Sequence, residues 1–310
     1  GAETFRGPAD TDLVRWLLSD AAAGQVRRLA FVVPVGTTWT LPAYELALLT
    51  ATHLREQEVE GVELVLVTPE EEPLQLFGRE GSDAIRRLLE EHEIELVPFA
   101  FATEFADGAL TLSPGWRIPC TRVVALPRLR GARLDGLAQT LDGFLPIDDH
   151  ARVLGLEDVY AAGDITSFPV KQGGIATQLA DAAAQAIAAR LGADVVPQPF
   201  HPVLRGMLLT GSTPRYLRHS LAGGAESRVV GSELLWWPPG KIVGRYLSPF
   251  LAGLGGHEDP AAAPAEPGAV QIEVELTERE LEPPLSPRPE EPIGETVEAA
   301  MSADLLVIAP

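Results

Sequence analysis

The chain has 310 residues, 46% of them apolar, and a formal net charge of −20. That length exceeds one ordinary hydrophobic core and sets two domains as the expectation, while the charge argues against nucleic acid or an anionic membrane surface as the main partner. No run approaches the roughly eighteen apolar residues of a spanning helix, the opening GAETFRGPADTD has no leader pattern, and the single cysteine, Cys120, excludes an internal disulfide and a cysteine-based zinc site. A cytoplasmic setting is expected.

Residues 1–10 read as a lead-in strand. VRRLAFVVP (26–34) is the first strong buried strand, followed by a loop containing Gly36. LPAYELALLTATHLREQEVEG (41–61) predicts a helix, with Pro42 in its first turn and Gly61 marking its end. VELVLVTPEEEP (62–73) reads as a second strand ending in acids. SDAIRRLLEEHEIELV (82–97) reads as a helix opened by Ser82 or Asp83 and leading into a third strand. This βαβαβ rhythm predicts an open parallel sheet. ATEFADGALTLSPGWRIPCTRVVALP (102–127) then alternates, with turns at Asp107-Gly108 and Pro114-Gly115, and predicts an antiparallel extension.

RLRGARLDGL (128–137) has the composition of a hinge. Beyond it come GFLPIDDHAR, the buried-strand pattern VYAAGD (159–164), and an alanine-rich helix stopped by Gly192. Residues 196–256 mix aromatics, glycines and bases, and Trp236-Trp237 could contact a membrane, cover a ligand or form a dimer interface. From His257 onward there are 13 acidic residues and two basic ones, so the terminal segment is a separate compositional region. It includes a possible strand at VQIEVEL and a proline-acid linker ending at Pro292. The six histidines show no metal-ligand spacing, and no metal site is expected.

The chemistry concentrates at the end of VYAAGD. Ala161, Ala162 and Gly163 are small enough for a bulky ligand to approach the main chain, and an open sheet places ligands beyond its strands' carboxyl ends. Asp164 can accept two hydrogen bonds, which suits the hydroxyls of a sugar-like chain. Lys171, Gln172, Gly173 and Gly174 follow, then a helix whose start favours negative charge. The alternative is that Asp164 caps a turn.

VYAAGDIT…KQGGIATQLADAAAQAIAARLG resembles the second flavin-binding segment of the two-dinucleotide-binding-domain flavoproteins. These include type II NADH dehydrogenases, sulfide:quinone oxidoreductases and pyridine-nucleotide disulfide reductases. The resemblance implies FAD, with Gly163 and Asp164 at its ribityl chain and the helix start Gly173, Gly174, Ile175 and Ala176 near the flavin ring. Lys171 would add charge there. The fold implied is α/β: a Rossmann-like parallel sheet with an antiparallel extension, plus the second half of an FAD-binding domain.

By the same resemblance, 11–127 stands where the family inserts its NAD(P)-binding domain. The expected G-x-G-x-x-G is absent, leaving Gly36, Thr37 and the helix start near Thr40–Ala43 to meet a dinucleotide. YELA resembles the family's helix turn whose glutamate, here Glu45, faces nicotinamide. Glu70 or Glu71 could bind a ribose diol and would repel a 2′-phosphate, favouring NAD. A degenerate domain that no longer binds nucleotide is the alternative.

The implied activity is hydride transfer from NAD(P)H to FAD and on to a small-molecule or quinone acceptor, with a homodimer possible. The resemblance covers 5–256: 128–195 as the second part of the FAD domain and 196–256 as an interface region. The missing first phosphate loop makes a truncated chain the expectation. Residues 257–292 would be a linker, and ETVEAAMSADLLVIAP (295–310) is similar to the opening of a CBS domain, so a module is expected to begin near 293. Two other readings stay open: an incompetent nucleotide-binding fragment, or a nucleotide-sensing degenerate flavoprotein.

Overall fold

The computed structural model describes residues 1–221, 228–233, 235–236, 241–246, 249–250 and 253. The acidic linker, the VQIEVEL strand and the CBS-like opening lie outside the described residues, as does Trp237.

A five-stranded parallel sheet runs in the order β1-β8-β2-β3-β4, from β1 (Glu3–Thr4), β2 (Arg28–Val32), β3 (Glu63–Val67), β4 (Ile94–Val97) and β8 (Arg122–Ala125). Its strands read as continuous apolar runs because both faces are covered. On one face, Phe31, Val33, Leu64 and Leu66 pack against α1 (Thr11–Ala22), α2 (Leu41–Glu56) and α3 (Gly78–Glu91). On the other, Ala30, Val32, Val65, Val67 and Val123 meet Leu110, Leu112 and Cys120. That cover comes from the antiparallel sheet of β5 (Phe101–Ala106), β6 (Ala109–Ser113) and β7 (Trp116–Pro119). Its first turn is Asp107-Gly108, with φ of 51° and 67°, as a tight hairpin requires.

Several boundaries differ from the sequence pattern. Helix α1 was not legible: Leu17 and Ala21 are its only fully buried side chains, so its apolar stripe is thin. α2 stops at Glu56, before Gly61, because Glu58 already turns left-handed at φ 52°. α3 starts at Gly78, a turn ahead of Ser82, after Leu74 has reversed the chain at φ 49°.

The connection 128–145 has no regular structure, but it is pinned. Gly131 N–H donates to Asp142 O at 2.8 Å, and Leu134 N–H donates to Gln139 Oε1 at 2.8 Å. The two main chains cross at Gly131 and Gly143, where a Cβ on either glycine would overlap the other's carbonyl group.

The pattern over 159–163 predicts a buried strand, and there the structure corrects the expectation. The segment makes one antiparallel bridge, Tyr160 with Arg152, plus Val153 N–H to Val159 O at 2.8 Å and Ala161 N–H to Ala151 O at 2.9 Å. It is a short pairing over a small core of Leu145, Val153 and Ala161, too brief to form a ladder. Helix α4 (Gly173–Arg190) follows. A second antiparallel sheet, β9 (Val203–Leu208), β10 (Arg215–Ser220) and β11 (Arg228–Gly231), closes the helical face by burying Leu204, Leu208 and Leu217 in the main core.

Candidate functional site

Two regions carry the candidate residues. The first is the turn between the 159–162 pairing and α4. Gly163 has φ 78°, which glycine adopts without strain, and a Cβ there would sit 3.5 Å from Ala176 Cβ. The turn therefore lies directly on the first coil of α4. Thr166, fully buried, closes it by donating its N–H and hydroxyl to Gly163 O at 3.1 and 2.8 Å.

Asp164 projects from this turn and is exposed, with no hydrogen bond or ion pair among the described residues. The surrounding protein still displaces enough water to raise its pKa, against the opposing pull of the Lys171 ammonium. An acceptor held in place by glycine geometry and left unpaired can take a polyol.

Lys171 does not reach outward. It is buried, donates to Phe168 O at 2.7 Å and to Thr166 O, and its ammonium lies 4.0 Å from the Phe144 ring centroid. Burial drops its pKa to about 8, with Asp164 opposing. Its direct work is to tie the 164–171 loop together.

The start of α4 is largely served by its own chain. Gln172 Oε1 accepts from Ile175 N–H at 3.0 Å, and its Nε2 donates to Arg205 O at 3.1 Å. Segment 241–244 lies across Gly173 and Gly174: a Cβ on Gly173 would be 3.2 Å from Ile242 Cγ1, and one on Gly174 3.5 Å from Val243 O. Thr177 fixes the segment by donating to Val243 O at 2.8 Å. The glycine pair is thus explained by close approach of the Ile242 and Gln172 side chains, the latter 3.0 Å from where a Cβ on Gly174 would sit. The residues fit the polyol part of a flavin nucleotide at Asp164; at the helix start, protein occupies the flank.

The second region is the carboxyl end of β2 and β3. Glu70 is buried and accepts from Thr40 Oγ1 at 2.9 Å, Tyr44 Oη at 2.7 Å and Thr68 Oγ1 at 3.0 Å. Burial raises its pKa despite these bonds, and burial together with Glu70 pushes the Tyr44 phenol well up. Thr37 turns its N–H and hydroxyl onto Pro34 O at 3.1 and 2.8 Å. Gly36, at φ 83°, lies under Arg128, whose Nη2 would be 3.5 Å from a Cβ. Trp39 packs edge-on to Phe77 with centroids 6.0 Å apart. Glu70, buried under three hydroxyls, and Thr37, turned onto Pro34 O, are not free to meet a nicotinamide dinucleotide, while Glu71 beside them is exposed.

Glu45 belongs to neither opening. It is buried on α2 and accepts from Leu209 N–H at 2.9 Å and from Lys241 Nζ at 2.6 Å, which joins the helix to the end of β9 and to segment 241–244. Glu45→Ala should cost about 1–3 kcal/mol by stranding the Leu209 N–H. Lys241 is 44% exposed, so its ion pair adds under about 1 kcal/mol. A double-mutant cycle with Lys241→Ala, read by urea denaturation, separates the two contributions.

Sequence reasoning missed Tyr44 and Thr68, and gave Thr40 to a dinucleotide where the structure has it bond Glu70. The available signal was spacing: Thr40 and Tyr44 stand four apart on one helix face, and Thr68 two before Glu70. Cys120 is buried, and burial raises its thiol pKa. Trp236 packs on Tyr216 with centroids 5.2 Å apart. Among the described residues no acidic, histidine or cysteine group could hold a metal, and no helix is long and apolar enough to cross a membrane.

No protein-family model and no curated protein sequence matches the chain. Solved structures do. The sulfide:quinone oxidoreductase of the hyperthermophilic bacterium Aquifex aeolicus matches with a TM-score of 0.63 and 12% identity, over 74% of this chain and 59% of that one. The structure of Fdr9 matches with a TM-score of 0.51 and 19% identity, over 73% of this chain and 55% of that one. The chain therefore spans somewhat over half the length of each. What it shares with them is a fold.

Proposed function

We propose that the chain forms the second half of an FAD site in an oxidoreductase of this fold. The observation that carries this reading is Asp164: an exposed, unpaired carboxylate, fixed by the Gly163 turn on the first coil of α4. The bound flavin would supply the redox chemistry, passing electrons to a small-molecule or quinone acceptor. Asp164 would accept hydrogen bonds from the ribityl hydroxyls. Gly163 would let the cofactor approach the main chain, Lys171 would hold the loop behind it, and the start of α4 would favour negative charge nearby. Flavin reduction by NAD(P)H gains no support from the residues around Glu70.

The purified chain, incubated with FAD and then gel-filtered, should retain a visible flavin band. Asp164→Ala should weaken FAD binding about 10- to 100-fold, the effect of losing one charge-assisted hydrogen bond or a little more. A band retained equally by both proteins would remove Asp164 from the site. A colourless wild-type chain would favour the second reading, an incompetent nucleotide-binding body. Segment 241–244, seated across the start of α4, is the observation on that side.

A further inference from the structure

The crevice at the carboxyl end of the parallel sheet has a separate fate. We infer that it is closed to nicotinamide dinucleotides and serves as the seat of the protein's own loop 68–78, so that the α/β domain carries no second dinucleotide site.

A dinucleotide in such a crevice needs a main chain it can approach, donors for its phosphates and a free acceptor for its ribose. At Gly36, Thr37, Thr40 and Glu70, protein takes the ligand's place. Approach is limited because Gly36 is the only glycine between β2 and α2, and the Arg128 guanidinium lies over it. Thr37 and Thr40 turn their donors inward: Thr37 gives both its N–H and its hydroxyl to Pro34 O, and Thr40, at the cap of α2, gives its hydroxyl to Glu70. The acceptor at Glu70 is occupied, taking three hydroxyls at 2.7–3.0 Å while buried. A ribose diol could bond Glu70 only by displacing hydroxyls that would themselves be left buried and unpaired.

The loop's own packing explains why the closure persists. Leu74 and Phe77 are each 1% exposed, and Leu74 accepts a left-handed φ of 49° to reach its seat. Phe77 sits so close to β9 that a Cβ on Gly206 would fall 2.7 Å from its Cζ. His219 Nδ1 on β10 bonds Leu76 O, holding the loop from its far side. Opening the crevice would mean exposing these apolar side chains, and nothing in a dinucleotide replaces that burial.

The test is direct binding rather than turnover. The full chain is titrated calorimetrically with NADH and with NADPH, before and after incubation with FAD, and hydrogen exchange is followed at 34–44 and 68–78. No binding tighter than about 1 mM is expected, and amide protection in both segments should be unchanged by nucleotide. Saturable binding tighter than that, or nucleotide-dependent protection in either segment, overturns the inference. The flavin band is read separately, so a colourless protein would count against the flavin reading while the titration still decides this one.

Discussion

Phe77→Ala should be the most destabilising single truncation in the described fold, at about 3–5 kcal/mol. Phe77 is 1% exposed and has no room to be replaced by collapse. Gly81 lies against its Cβ, Gly206 against the far edge of its ring and Trp39 against its face. The two glycines supply no side chain that could swing into the void, so the cost belongs in the upper part of the range. The loss should also be uneven. Phe77 joins α2 and α3 to β9, so hydrogen exchange in β9 and β10 should rise more than in β2 and β3. Equal acceleration across both sheets would show that Phe77 contributes bulk stability without docking the second sheet.

Glu70→Ala comes next, at about 2–4 kcal/mol. Three buried hydroxyls would lose their acceptor, each worth about 1–3 kcal/mol when stranded, and relief from burying a carboxylate would offset part of that. Glu70→Gln keeps one acceptor oxygen and the shape, so its penalty should be smaller. The glutamine variant also isolates the charge. Burial holds the folded-state pKa of Glu70 above its ordinary value of 4.5, so the folded protein keeps that proton to higher pH than the unfolded chain. Its contribution is full below about 4.5 and is lost as pH rises through the window between 4.5 and the folded value. Urea midpoints across that window should fall more steeply for wild type than for Glu70→Gln. Parallel slopes would mean that Glu70 is ionised throughout and that the hydroxyls alone neutralise it.

The parts of the molecule legible in the sequence are those where local pattern and tertiary role coincide. The strands over 28–32 and 63–67 are apolar on both faces because both faces are covered, and Asp107-Gly108 is a turn for reasons internal to two residues. The place of Asp164, in a turn ahead of a glycine-led helix, was legible because small residues precede it and Gly173-Gly174 follow. The rest was set at a distance. Glu70 and Glu71 are equivalent in sequence, and only the placement of Thr40, Tyr44 and Thr68 decides which one is buried. Glu45 finds its partners at Leu209 and Lys241, more than 160 positions away, and no helical period announces that. Lys171 reads as a charge for a ligand until Phe144 and two carbonyls are seen to surround it.

The crossing at Gly131 and Gly143 fixes more than local geometry. Main chain meets main chain there with no side chain between, and ties residue 131 back onto residues 142 and 143. Any side chain at either position would have to part the two passes, so the path from the parallel sheet to the Asp164 turn depends on two positions that carry none.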